Sequence, residues 1–266
     1  MRRSIVWFTT DLRIHDNEVL LKAISQSDEI IPVYCFNDAA YQTSEYGFKK
    51  TGKFRFKFIC ESLMDLDKSL RDLGSGLIVV KGDPAQVLYE LAEVYQVSTI
   101  FTKSEIATEE LNLQNIVRSK LSLLKCDLDT CCSGTLYRLE DLYASAQQIP
   151  DVFTIFRKQV EGRKVSIDLL PSPSKISSPS IPAMILPGYE EMGLDACVAD
   201  QRSAIVFIGG ETAGINRVHT YFQDTHAVAT YKETRNGMIG ENYSSKFSAW
   251  LALGCLSPRY LSLIHI

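Results

Sequence analysis

Over the first ~130 of 266 residues, short apolar runs take turns with segments of helical period, and this alternation narrows the fold more than any other feature. Residues 4–8, 29–36, 76–81, 99–102 and 125–131 read as strands. Between them lies a helix carrying Leu20, Leu21 and Ile24, with Asp16 placed to cap it. A long helix runs from about 51 to 73, with Phe54, Phe58, Leu63, Leu66, Leu70 and Leu73 at helical spacing and Gly74 as its stop. Pro84 opens a further helix at a position that tolerates a missing N–H. Another helix runs from about 107 to 123. Strand and helix in strict succession imply an α/β fold, a parallel sheet covered by helices.

The alternation then stops. Five of the nine prolines fall between Pro171 and Pro187 in a Ser/Pro-rich run, which reads as an extended, partly mobile linker. Helical signals return at Gly209. Gly210 and Glu211 start a helix with Ile215, Val218 and Phe222 on one face. A last helix is expected near Ser244, carrying Phe247, Trp250 and Leu251. Two or three helices are too few for a core of their own. Either they pack on the first domain or they belong to a larger helical one.

A formal charge of −4 argues against a wholly basic nucleic-acid module, although a local groove remains open. Residues 217–266 hold five Lys/Arg against three Asp/Glu, as compatible with a solvated helix surface as with a weak nucleic-acid face. No apolar run reaches the roughly 18–20 residues of a membrane helix. No signal or transit pattern is visible, so a cytoplasmic or nuclear location is expected, with an organelle left open. The seven cysteines form no CxxC pair, which favours reduced thiols and no metal site.

Three segments could carry chemistry. The run Trp7–Asn17 follows the first strand, where ligands of open parallel sheets bind. Asp11 and Arg13 could contact such a ligand; the plainer reading is a salt-bridged loop that locks the domain. No Gly-rich dinucleotide fingerprint accompanies it. Glu105, in Lys103-Ser104-Glu105, could accept from the N–H groups of a heterocycle, or could be a solvated charge at a helix start. The third segment is Tyr231–Gly237 followed by Tyr243, Ser244, Ser245, Lys246, Phe247 and Ser248. Hydroxyls and a cation around a helix start suit a pyrophosphate, and Tyr231 adds an aromatic face. Against this, Ser244 could simply be a cap. His15, His219, His226 and His265 form no triad or metal set, and Cys255 reads as packing.

Taken together, these segments resemble the cryptochrome/photolyase family. The opening Trp7-Phe8, Asp11-Leu12-Arg13 and Asp16-Asn17 match its first strand and loop. Gly52, Arg55, Phe58 with Glu61-Ser62-Leu63, Thr135-Leu136-Tyr137, Val152-Phe153-Thr154, Gly209–Ala213, Tyr231–Met238 and Ser257-Pro258-Arg259 look like its DASH-type branch. The resemblance implies a Rossmann-like antenna domain over 1–132, an interdomain linker over 133–205, and the first helices of an all-α FAD-binding domain over 206–266. It assigns FAD contacts to Tyr231, Ser244, Ser245, Lys246, Phe247 and Ser248. It assigns to Glu105 an antenna folate, methenyltetrahydrofolate, in the interdomain cleft. The implied activity is light-driven: reduced FAD gives an electron to a cyclobutane pyrimidine dimer in single-stranded or looped DNA, the dimer splits, and the electron returns. No acid–base catalytic residue is needed, because the flavin carries the chemistry.

The departures are Thr9 in place of an Arg, Ala249 in place of a Pro, and a lengthened segment after Tyr143. After Arg259 the family pattern fades. The expectation is an N-terminal fragment with one side of a flavin site, inactive alone, with apolar faces prone to association. Two other readings are a non-enzymatic blue-light photoreceptor and a nucleotide-binding module like an electron-transfer flavoprotein subunit.

Overall fold

The computed structural model describes residues 1–137, 142, 149–162, 168–198, 200 and 202–264. Five strands form one parallel sheet: β1 (Arg3–Phe8), β2 (Glu29–Asn37), β3 (Ile78–Gly82), β4 (Thr99–Lys103) and β5 (Asp127–Cys131). Their order is β3-β2-β1-β4-β5, so β1 is the central strand. Val6 lies in register with Pro32 on one side and Phe101 on the other. Side chains alternate across a strand, and β1 uses both faces. Ile5 and Trp7 enter a core with Ile31, Val33, Leu88 and Val117. Val6 and Phe8 enter a second core with Leu20, Leu63, Trp250 and Leu256.

The helices follow the expected order, with two corrections. Helix α1 (Glu18–Gln26) is capped by Asn17, whose side chain accepts from the Leu20 N–H at 3.0 Å, and not by Asp16. Asp16 sits at φ +47° with its carboxylate turned elsewhere. Helix α2 (Lys53–Asp72) buries Phe56, Ile59, Leu63, Leu66 and Leu70, a stripe with steps of three and four residues. Phe54, expected on that face, is exposed, because it falls on the opposite side of the first turn from this stripe. Each fully buried side chain of this size stabilises the fold by roughly 1.5–3 kcal/mol. Gly74, at φ +92°, follows the end of α2. Helix α3 (Pro84–Tyr95) has Asp83 as cap with Pro84 in its first turn, and α4 (Thr108–Leu121) begins three residues beyond Glu105.

A short helix, α5 (Phe153–Glu161), precedes the proline-rich segment. That segment is extended, as expected, but it is docked. Pairing between β2 and β3 begins only at Val33 with Ile78, and Ile30, upstream of it, donates to the Ser177 carbonyl at 2.9 Å. Ile176 is buried and donates to the Leu73 carbonyl at 2.8 Å. Arg71 donates to the Pro182 carbonyl at 3.1 Å. Here the chain completes the sheet's hydrogen bonding, which outweighs the freedom its composition suggests.

Residues beyond 206 form α6 (Glu211–His219), a π-turn over Thr220–Asp224, a 3-10 turn over Ala227–Thr230, and the short helices α7 (Tyr231–Thr234), α8 (Ser248–Ala252) and α9 (Pro258–Leu263). They pack on the α/β unit and share its second core. Trp250 meets Phe58 edge-on at 5.8 Å and donates its indole N–H to the Ile208 carbonyl at 3.0 Å. Gly214 admits this contact, since a Cβ there would press on Trp250 and Leu256. Among the described residues, no helix is long and apolar enough to cross a membrane.

Candidate functional site

From Asp11 to Asn17 the loop after β1 is a seam between the sheet and the C-terminal helices. Arg13 is almost fully buried and donates to the carbonyls of His15 at 3.0 Å, Asp16 at 3.0 Å and Gly254 at 2.9 Å. Asp16 is bound by Arg259 through Nε at 2.9 Å and Nη2 at 2.8 Å, by the Ser257 hydroxyl, and by the Leu170 N–H at 3.0 Å. Burial alone would raise its pKa; these donors outweigh that and hold it below the usual carboxylate range. Glu211 accepts from the Ile14 N–H at 2.5 Å and pairs with His15 Nδ1 at 2.6 Å. Burial again opposes ionisation, and the His15 contact and backbone donors hold Glu211 low. Gly254, at φ +66°, closes the seam: a Cβ there would collide with the Thr10 carbonyl. Within this loop Oδ2 of the fully buried Asp11 is left over among the described atoms, and burial raises the Asp11 pKa against Thr9, Arg13 and Lys103. His15, which the sequence places in no triad or metal set, is a seam residue. Cys255 is buried packing, as read from sequence.

A cavity of ≈ 440 Å³ opens on the other side of the C-terminal helices. Its lining includes Tyr231, Ser245 and Phe247 of the sequence candidates, joined by Tyr221, Phe222 and Leu261. Phe247 stacks on Phe222 at 6.0 Å and meets Tyr221 edge-on at 5.8 Å. Ser244 and Lys246 lie next to the lining, with Lys246 Nζ 3.5 Å from the Ser244 hydroxyl. Ser248 is exposed and begins α8. The helix expected near Ser244 thus starts four residues later and spans five residues. Ser244 is not its cap, because its backbone is held in a separate loop.

Arg217 builds that loop. It is buried on α6 and donates to the carbonyls of Ser245 at 3.0 Å, Ser244 at 3.2 Å and Glu241 at 3.1 Å, and to the Asn242 side chain at 2.8 Å. Its guanidinium lies 5.5 Å from the Tyr221 ring centre. Lys246 takes the left-handed conformation, φ +57°, where the loop turns toward α8. Sequence reading singled out neither Arg217 nor Tyr221. The available signal was an arginine on the apolar side of a short helix, one residue before Val218.

Glu105 belongs to neither group. It lines a separate pocket of ≈ 170 Å³ at the carboxyl ends of β1, β2 and β4, with Trp7, Thr9, Tyr34, Asn37 and Gln114. Among the described residues its walls come from residues 7–114, all in the α/β unit. Glu105 pairs with Lys103 at 3.2 Å and accepts from the Thr9 hydroxyl at 3.3 Å. Burial raises its pKa despite Lys103.

A five-stranded parallel sheet seamed to a set of helices, with a pocket at the carboxyl ends of its strands and another among the helices, defines an α/β protein with an added helical part. The sequence model of the DNA photolyase family matches residues 4–175, and the chain belongs to that family. Within it, the chain is similar to Cryptochrome DASH of Danio rerio, 42% identical over 265 residues, covering 98% of this chain and 51% of the relative. It is 37% identical to the chloroplastic/mitochondrial Cryptochrome DASH of Arabidopsis thaliana, covering 97% of this chain and 46% of the relative. The solved cryptochrome of Synechocystis sp. PCC6803 superposes with a TM-score of 0.92 at 39% identity, covering 98% of this chain and 55% of that one. The chain thus spans about half the length of the curated relatives it matches.

Proposed function

We propose that the chain carries the antenna domain, linker and first flavin-binding helices of a DASH-type, blue-light-driven enzyme that repairs cyclobutane pyrimidine dimers in single-stranded or looped DNA. The observation that carries this reading is the aromatic and hydroxyl-lined cavity of Tyr231, Ser245 and Phe247. Its donor set suits a flavin nucleotide. Tyr231, Phe222 and Phe247 offer ring faces, Ser245 and nearby Ser244 and Ser248 offer hydroxyls, and Lys246 offers a cation for phosphate. FAD, when bound, supplies light-driven electron donation. The residues named here bind and orient it and exclude water from one side. Glu105 is the proposed acceptor for the N–H groups of a methenyltetrahydrofolate antenna in its own pocket. A dimer is most easily presented from DNA whose strands are already unpaired.

On this reading repair belongs to a protein of the relatives' full length, acting in cytoplasm, nucleus or an organelle, and the 266-residue chain offers one wall of the site. Tyr231 is 42% exposed on that wall. The test is spectroscopic titration. The purified chain is expected to lack a flavin band near one per chain, yet to quench added FAD, and Lys246→Ala is expected to weaken that binding several-fold. No binding at any accessible FAD concentration would refute the reading. Dimer splitting under blue light by the full-length protein separates repair from a purely signalling role.

A further inference from the structure

The Tyr221 side chain is 98% buried (2% exposed), and its hydroxyl has no hydrogen-bond partner among the described residues. A buried phenol normally finds one. The nearest cation does not serve it, since the hydrogen bonds of Arg217 go to the loop carrying Glu241, Asn242, Ser244 and Ser245. The ring is fixed by Phe222, Phe247 and Arg217, and it lines the same cavity as Tyr231 and Ser245. A polar group held rigidly against a cavity wall with its own bond unmade is pre-organised for a ligand.

We infer that Tyr221 is a ligand-contacting residue whose hydroxyl donates a hydrogen bond to an acceptor oxygen of the flavin nucleotide in this cavity. The inference rests on the flavin reading and adds to it a contact that none of the sequence motifs marked. Arg217 is the positioning residue behind it, holding both the Tyr221 ring and the serine loop.

Tyr221→Phe tests this, because it removes one oxygen and leaves the ring. An unsatisfied buried hydroxyl contributes nothing to the free protein, so the variant should melt at the same temperature or slightly higher. Its affinity for FAD should fall about five- to tenfold, the worth of one hydrogen bond. Titrations with riboflavin and with ADP locate the acceptor: a loss confined to ADP and FAD places it on the phosphate side, and a loss with riboflavin places it on the flavin side. Either pattern supports the contact. Unchanged affinity for all three probes overturns it while leaving the flavin reading intact. A clear loss of stability in the ligand-free variant also overturns it, since the hydroxyl would then have an internal partner. Failure of the unaltered chain to bind FAD removes the flavin reading and this contact with it.

Discussion

The seam and the cavity both draw on residues beyond 206 and treat their polar groups in opposite ways. At the seam, Arg13, Asp16, Glu211 and Arg259 have their charges met by partners within the chain, and among its described atoms Asp11 Oδ2 is left over, in the field of Arg13 and Lys103. At the cavity, Arg217 makes four hydrogen bonds to the serine loop, but the Tyr221 hydroxyl makes none among the described residues, and Tyr231 remains partly open. Both places are rich in chemistry-bearing residues, so residue type alone does not distinguish architecture from binding. What distinguishes them is whether the hydrogen-bonding capacity is used up internally.

Three measurements would break or sharpen this contrast. The largest effect is expected from Arg259→Ala, which leaves the buried Asp16 carboxylate without its cation. It should cost about 3–5 kcal/mol in urea unfolding, and a cost below about 1 kcal/mol would mean the seam does not hold the helices. Next comes pH. Asp16 and Glu211 are held below their ordinary values of 3.8 and 4.5. Their contribution is therefore complete above about pH 5 and is lost as the pH falls through their folded-state pKa values. Asp11 and Glu105 act with the opposite sign, because raised pKa values favour their protonated forms in the fold. Acid unfolding should thus begin with loss of the Trp250 fluorescence environment, and Asp16→Asn should flatten the pH dependence below pH 5. The smallest effect is expected for Lys50→Gln, whose exposed pair with Glu109 lies outside the seam. It should change stability by no more than about 0.5 kcal/mol.

The sheet was legible in the sequence because strands and helices declare themselves locally. Val6 and Phe8, or Phe56 through Leu70, need only their immediate neighbours to show a period. Errors arose where a residue had a distant claim on it. Asp16 looked like a cap because Asn17 stands beside it, and the rival partner, Arg259, lies 243 residues away. The serine loop looked like a helix start because Arg217, which pulls its carbonyls inward, sits on another element. The proline-rich run looked mobile because composition does not reveal that the Ser177 carbonyl meets Ile30 beyond the reach of β3. Of the site, Tyr231, Ser245 and Phe247 could be named in advance from the family resemblance; Tyr221 could not, because an unmade bond is visible only in three dimensions.

The central position of β1 has a consequence for biosynthesis. Of the five strands it leaves the ribosome first, and the sheet is complete once Cys131 has been made. Gly254 and Arg259, which close the loop at its end, follow ~120–130 residues later, roughly 6–26 s at ordinary translation rates. During that interval Arg13 and Asp16 lack these partners and stay hydrated, so the α/β unit waits with its most charged loop unsealed. A segment synthesised later thus fastens one made earlier, and a chain interrupted before Gly254 would present quality-control factors with an assembled sheet whose β1 loop is still free.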